Sequence, residues 1–180
     1  ELETIALARA SIGPDPTVLM LTDIGARATN ISVVDEGYVR MTRSIDTGGG
    51  DLTLAISRGM NFSPQRAEEF KKARGILAEP GEEAIASLLL PFLDVIVEEM
   101  RKLAGMYLEK TKREVKKIVL AGGSVLLPGV SEYFAKQLRR EVIVGNPFLQ
   151  VEHDSMLEPI LREIGPAFAV ATGLAMRELI

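Results

Sequence analysis

The sequence predicts an α/β domain: a mixed sheet with antiparallel hairpins, flanked by helices. Three observations carry that class. Short segments between Thr17 and Ile45 run apolar or alternate polar with apolar and are joined by turn residues, as neighbouring antiparallel strands are. Apolar residues from Ile85 to Tyr107 step by three and four, which is the helical period. Ile118–Val119–Leu120–Ala121 is too short for a helix, suits a strand buried on both faces, and runs into Gly122–Gly123.

In chain order, Glu1 to Ala10 reads as a helix already under way, so the chain reads as a piece that begins partway through a larger protein. Gly13–Pro14–Asp15–Pro16 ends that helix, because proline removes an N–H and clashes with the preceding turn. Thr17–Thr22 is the first strand, and Asp23–Thr29 the turn after it. Asn30–Val34 is the second strand, Asp35–Glu36–Gly37 a hairpin turn, and Tyr38–Ile45 the third strand. Asp46 to Asp51 is a glycine-rich loop feeding a helix through Leu52, Leu54, Ala55, Ile56 and Met60, with Asp51 as a candidate N-cap. Ser63–Pro64 starts a helix that Gly75 closes after Arg74. Glu79–Pro80–Gly81 is a turn, and a long helix follows from about Glu82 to Glu114, kinked or divided at Pro91. Its basic end, Lys110 to Lys117, suits the negative pole of the helix dipole and reads as solvated. Val130–Arg140 is amphipathic, Glu141–Val144 a short strand, and Gly145–Phe148 a turn. A mixed segment holding His153, read as a surface residue, leads to a closing helix from Ala167 to Leu179.

Composition narrows the chemistry. The chain has 180 residues, 47% hydrophobic and 26% charged, enough for one core or two small lobes. A net charge of −4 argues against nucleic acid or an anionic membrane as the main partner. The absence of cysteine excludes disulfides and thiolate metal sites and is compatible with a reducing compartment. One histidine leaves no room for a histidine zinc site or for most catalytic triads. No apolar run approaches a membrane span, and no residue reads as a nucleophile with a partnered base.

Three glycine-bearing turns share one address, the end of a strand: Asp23–Gly25–Ala26, Gly48–Gly49–Gly50 and Gly122–Gly123–Ser124. In open α/β sheets ligands sit at the carboxyl ends of strands. Asp23 can hold a hydrated Mg²⁺ while amides near Gly25 and Ala26 face phosphate oxygens. Gly48 to Gly50 bring backbone close to ribose or phosphate, and Gly122–Gly123 flank a base and its α-phosphate.

These residues resemble a known family. Thr22 to Thr29 resembles the second phosphate loop of the ATPase fold shared by actin, the heat-shock chaperones and sugar kinases; Ile118 to Ser124 resembles its adenosine motif. Ala67–Glu68, Lys71 and Gly75 resemble the bacterial actin helix whose Glu and Lys reach ribose and adenine. Within that fold the chain is most similar to the type IV pilus assembly protein PilM family, related to FtsA, through Asp46–Thr53, Ala121–Val130, Asn146–Phe148 and Gly165–Ala175. The resemblance implies one lobe, the second, of a two-lobed actin-like fold. Residues 1–16 would be a helix and linker from the first lobe, 17–60 and 116–150 the sheet-bearing core, 61–115 a helical insert, and 151–180 a return segment.

The resemblance further implies ATP with Mg²⁺ as ligand, bound by Asp23 (to the metal through water), Gly25, Ala26, Thr29, Gly48, Gly49, Gly50, Glu68, Lys71, Gly122, Gly123 and Ser124. The implied role is a scaffold in type IV pilus or related secretion-machine assembly, cytoplasmic and peripheral at the inner membrane. Its partners would be the cytoplasmic tail of a PilN-like membrane protein, other components of the machine and a second copy of itself. At most slow ATP turnover is implied, and without the first phosphate loop nucleotide binding by this chain alone is expected to be weak or absent. An FtsA-like polymer-forming division protein and a small-molecule kinase of the same fold are the alternatives. Local readings stay open beside these roles. Asp23 also suits a turn cap, Glu68 and Lys71 a surface i,i+3 ion pair, and Ser124 a cap of the following turn. Ala26, Arg27 and Ala28 stand where many relatives carry Gly or Thr, and Arg27 is expected to face solvent.

Overall fold

Strands with apolar residues on both faces need helices on both faces, and the computed structural model, which describes residues 3–11, 17–77, 83–149 and 151–178, has that arrangement. Five strands, β1 (Leu19–Ile24), β2 (Thr29–Asp35), β3 (Tyr38–Ile45), β4 (Lys117–Ala121) and β5 (Glu141–Val144), form one sheet in the order β3-β2-β1-β4-β5. The first three are antiparallel, while β4 lies parallel to β1 and β5 parallel to β4. The helices are α1 (Glu3–Ser11), α2 (Gly49–Met60), α3 (Pro64–Arg74), α4 (Glu83–Thr111), α5 (Val130–Leu138) and α6 (Glu158–Ala175).

Alternation along each strand divides the core. Met20, Ile24, Ile31, Val33, Ile118 and Leu120 join the apolar residues of α2, α3, α4 and α5. Leu21, Val34, Val119 and Ala121 face the other way, onto Leu7 and Ala8 of α1 and Ala169 of α6. There α1 and α6 cross so closely that a Cβ on Gly173 would lie 1.8 Å from the Ala6 carbonyl oxygen, and Arg9 donates to the Gly173 carbonyl at 2.7 Å. Helix α1 thus packs on this sheet, and α4, within residues 61–115, packs against β2, β3 and α5.

Between β2 and β3 the hairpin turns on Glu36 and Gly37, both with positive φ, 54° and 79°. Buried Asp35 at its base accepts the Tyr107 hydroxyl and pairs with Arg113 at 2.9 Å, tying the hairpin to the end of α4. The expected α4 stripe is buried at Ile85, Leu89, Ile96, Met100, Leu103 and Tyr107, with Phe92 partly buried and Leu93 and Val97 added. Pro91 does not divide the helix. Pro91 and Ser87, whose carbonyl loses its helical donor, are both exposed, and burial of the residues on either side outweighs the proline cost of about 3 kcal/mol.

Several boundaries differ from expectation. β1 runs two residues further, so Asp23 lies in the strand, paired with Asn30 and Ala121, rather than in the turn. Asp51 is not the N-cap: α2 begins at Gly49, and the Asp51 carboxylate accepts the Gly48 N–H at 2.9 Å from the third helical position. The end of α4 comes at Thr111, short of Glu114. α6 starts nine positions before Ala167 and passes through Gly165–Pro166, where the Pro166 carbonyl accepts the Gly122 N–H at 2.8 Å and Gly165 packs on Pro147. The Gly13–Pro16 break, the Glu79–Gly81 turn and the far end at Leu179 lie outside the described residues. His153, expected at the surface, is partly exposed and pairs across a turn with Glu158 at 2.8 Å, while its Nδ1 lies 2.7 Å from the Val151 carbonyl.

The Glu158 hydrogen bond, helped by the Val151 carbonyl, raises the pKa of His153. A raised folded pKa means that this pairing stabilises fully below the unfolded value of about 6.5 and fades as pH rises through the folded value. NMR titration of this sole histidine is expected to show a midpoint above that of a free imidazole, dropping back in Glu158→Gln; an unmoved midpoint would contradict the pairing.

Candidate functional site

Parallel pairing of β1 and β4 sets Asp23 beside Ala121, so both strands end at one level and the loops after them meet. A cleft of about 420 Å³ opens there. Of the residues predicted to bind nucleotide, Gly25, Ala26, Gly49, Gly50, Glu68, Lys71, Gly123 and Ser124 line it. Arg27 is exposed, as expected.

Four predicted residues stand behind the lining. Thr29 is fully buried, and its hydroxyl donates to the Thr47 carbonyl at 2.6 Å, pinning the loop that leads into α2. Asp23 lies at the strand end, where a Cβ on Gly122 would come within 2.5 Å of its Oδ1. Gly122 has φ +90°, and a Cβ there would also sit 2.4 Å from the Ile24 carbonyl oxygen. Gly48 lies against the first turn, since its Cβ would meet the Gly25 carbonyl oxygen at 2.7 Å.

The glycine loop is also joined to the turn after β1. Gly49 N–H donates to the Gly25 carbonyl and Gly50 N–H to the Ala26 carbonyl, both at 2.8 Å, and Gly25 N–H to the Ala28 carbonyl at 3.0 Å. The amides at the start of α2 are thus engaged by the neighbouring loop, and the triple glycine lets two backbones touch. Ser124 does not cap the short 3₁₀ turn (Gly123–Leu126) with its side chain; it is buried against Gly49, whose Cβ would come 2.4 Å from its Oγ.

The α3 wall carries the charge. Ser63 caps the helix through the Arg66 N–H, Pro64 occupies its first turn, and Glu68, Lys71 and Lys72 share one face at i, i+3 and i+4. Lys71, only 4% exposed, donates to the Gly49 carbonyl at 2.9 Å and the Thr53 hydroxyl at 2.8 Å, and pairs with Glu68 at 2.7 Å. Lys72 is 71% exposed at the side chain and 3.5 Å from the other Glu68 oxygen. Burial is the largest influence on Glu68 and acts upward, but hydrogen bonds from Lys71 and Thr53 and the two lysine charges together hold its pKa below the ordinary value. Lys72, Leu127 and Thr53 escaped the sequence reading. Spacing i+4 from Glu68 was a usable signal for Lys72; Leu127 and Thr53 offered none. The groups present fit a nucleotide: the Glu68 carboxylate suits ribose hydroxyls, and the exposed Lys72 ammonium suits phosphate.

Residues 6–179 match the family model described as type IV pilus assembly protein PilM. Ethanolamine utilization protein EutJ of Escherichia coli (strain K12) is 27% identical over 88% of this chain and 54% of its own length. Cell division protein FtsA of Bacillus subtilis (strain 168) is 28% identical over 81% of this chain and 38% of its own. Among solved structures, a PilM-PilN type IV pilus biogenesis complex aligns with a TM-score of 0.82 and 27% identity, covering all of this chain and 52% of that one. MreB 5 of Spiroplasma citri bound to AMPPNP shares the fold at a TM-score of 0.69 and 19% identity, over 99% of this chain and 59% of that one. The fold is actin-like, and the chain spans about half the length of the first of these relatives or less.

Adding a methyl at Gly122 forces a positive φ on alanine and a clash with backbone that cannot step aside. Gly122→Ala is expected to lose about 1–3 kcal/mol in urea unfolding. At Gly123 a Cβ meets nothing within 4 Å, so Gly123→Ala is expected to stay within about 0.5 kcal/mol. Equal losses at the two positions would contradict the close approach.

Proposed function

The chain belongs to the type IV pilus assembly protein PilM family, and from that premise we propose that it is one lobe of an actin-like nucleotide-binding scaffold for type IV pilus or related secretion-machine assembly. The observation that carries this reading is the cleft where three loops and the Glu68–Lys71–Lys72 face converge. In it Glu68 takes ribose hydroxyls, Lys72 and the Ala26 turn lie toward phosphate, and Gly123–Ser124 borders the base. Asp23, at the strand end, holds Mg²⁺ through water. The metal supplies charge neutralisation for the phosphates. No residue here is assigned a catalytic role.

In this reading nucleotide sits between this lobe and the rest of the protein, so its state sets the angle between the lobes. The angle in turn sets affinity for the partner, the cytoplasmic tail of a PilN-like membrane protein. Likeness to a chain from a PilM-PilN complex supports that partner. Among the described residues no helix is long and apolar enough to cross a membrane; the reading gives the anchor to the partner and puts the protein at the cytoplasmic face of the inner membrane.

Calorimetry on the intact protein is expected to show MgATP binding, at least about tenfold weaker for residues 1–180 alone. A PilN-type tail peptide is expected to bind the ATP and ADP states with affinities differing by about fivefold or more. Equal peptide affinity in both states would defeat the switching role. Phosphate release that depends on a small-molecule acceptor would replace the scaffold with a kinase.

A further inference from the structure

The family resemblance implies that Lys71, like Glu68, contacts the ligand, and the structure assigns it another part. An ammonium has three N–H donors and no acceptor. Those of Lys71 meet the Gly49 carbonyl at 2.9 Å, the Thr53 hydroxyl at 2.8 Å and Glu68 Oε2 at 2.7 Å. Its side chain is 6% exposed. Three protons face three protein acceptors, so no donor is left for a ligand. We propose that Lys71 is a positioning residue which fastens α3 to the first turn of α2, and that Lys72 is the cation of this wall that meets the ligand. The proposal rests on the nucleotide reading for Lys72 and on geometry alone for Lys71.

The position of Lys71 supports the assignment. A cation beside a helix N-terminus lies at the positive pole of the dipole, an unfavourable place in itself. Glu68 offsets this, and Thr53, one turn into α2, bridges the pair: its hydroxyl also contacts Glu68 Oε2 at 2.5 Å. The tie ends at Gly49, whose N–H is held by Gly25 and whose α-carbon faces Ser124 Oγ. Lys71 thus links α3 to the point where all three loops touch. Lys72 lines the same cleft, with its side chain largely in solvent and only a 3.5 Å approach to Glu68. Its ammonium keeps donors open to the cleft beyond the one long approach to Glu68, and an exposed charge acts in a salt-dependent way.

The test uses the intact protein, MgATP as probe, and two readouts: hydrogen exchange at residues 49–53 without nucleotide, and the salt dependence of the MgATP dissociation constant. Lys71→Met is expected to raise exchange at 49–53 about tenfold or more and to weaken binding, with the salt dependence unchanged. Lys71→Gln, neutral but still a donor, is expected to recover part of both losses. Lys72→Gln is expected to leave exchange unchanged, weaken binding about threefold at low salt, and flatten the salt dependence. The proposal is overturned if either Lys71 variant flattens the salt dependence, or if exchange at 49–53 does not move. Should Lys71→Met not fold, Lys71→Gln and Thr53→Val carry the same readouts, and Thr53→Val is expected to raise exchange at 49–53. If the unaltered protein does not bind MgATP, the nucleotide reading fails together with the assignment of Lys72, while exchange at 49–53 still decides the tie through Lys71.

Discussion

Everything at the cleft depends on contact between backbones. β1 and β4 pair in parallel although they are far apart in the chain, and their register ends at Asp23 and Ala121. The chain after β4 must then pass Ile24 with no Cβ in the way, which only the left-handed Gly122 allows. The loop before α2 approaches from the other side and gives its amides to the Gly25 and Ala26 carbonyls. A residue with a side chain at Gly48 or Gly49 would push these loops apart, because the atoms in its path belong to backbone or to the buried Ser124. The helix N-terminus that looks in sequence like a ready anion site is instead part of the joint.

Since backbone groups hold the joint, side chains on α3 are left to supply most of the cleft's charge. α3 is framed at both ends. Lys71 binds it to α2, and beyond Gly75 the Ile76 N–H donates to the Pro128 carbonyl at 2.9 Å, next to the 3₁₀ turn that forms the other wall. Gly75 permits this second contact, since a Cβ there would lie 2.2 Å from the Pro128 oxygen. The wall is thus held to the rest of the lobe at two points. Glu68 stays ionised down to lower pH than an ordinary carboxylate because the lysines beside it outweigh the cost of its burial.

Local signals in the sequence were read correctly where local chemistry decides. The β3 bounds, the Glu36–Gly37 turn and the α3 bounds from Pro64 to Arg74 follow from alternation, turn residues and caps, all short-range. Tertiary contacts decided the rest. Pro91 looks like a break until the buried residues on both sides of it are seen, and Gly165–Pro166 looks like a helix start until Gly122 is found holding the Pro166 carbonyl. Asp23 looks like a turn residue because Gly25 follows so closely, and the sequence does not show the two further strand pairs at Asp23 and Ile24. For the site, sequence located all three loops but could not show which glycines face the cleft and which serve the joint. It leaves a surface Glu68–Lys71 ion pair open beside a ligand contact; the pair forms with Lys71 buried, and donor saturation appears only when Thr53 and Gly49 are placed around the ammonium.

A joint built from main-chain groups asks little of side-chain identity, and the fold is shared with MreB 5 at 19% identity. Few positions are dictated by side-chain chemistry; several are dictated by the absence of a side chain, and the remainder need only fill a two-sided core. Shared fold therefore says little about partners. EutJ and FtsA, named for different processes, match this chain about equally well in identity. Within the stretch they share with this chain, the joint leaves side chains on outward faces and on the charged wall of the cleft free to differ. A nucleotide bound there would not need to remodel the lobe to be felt elsewhere. It would only have to bind the framed wall on one side and the rest of the protein on the other, and the sheet would carry the change in angle to any partner face as a rigid body.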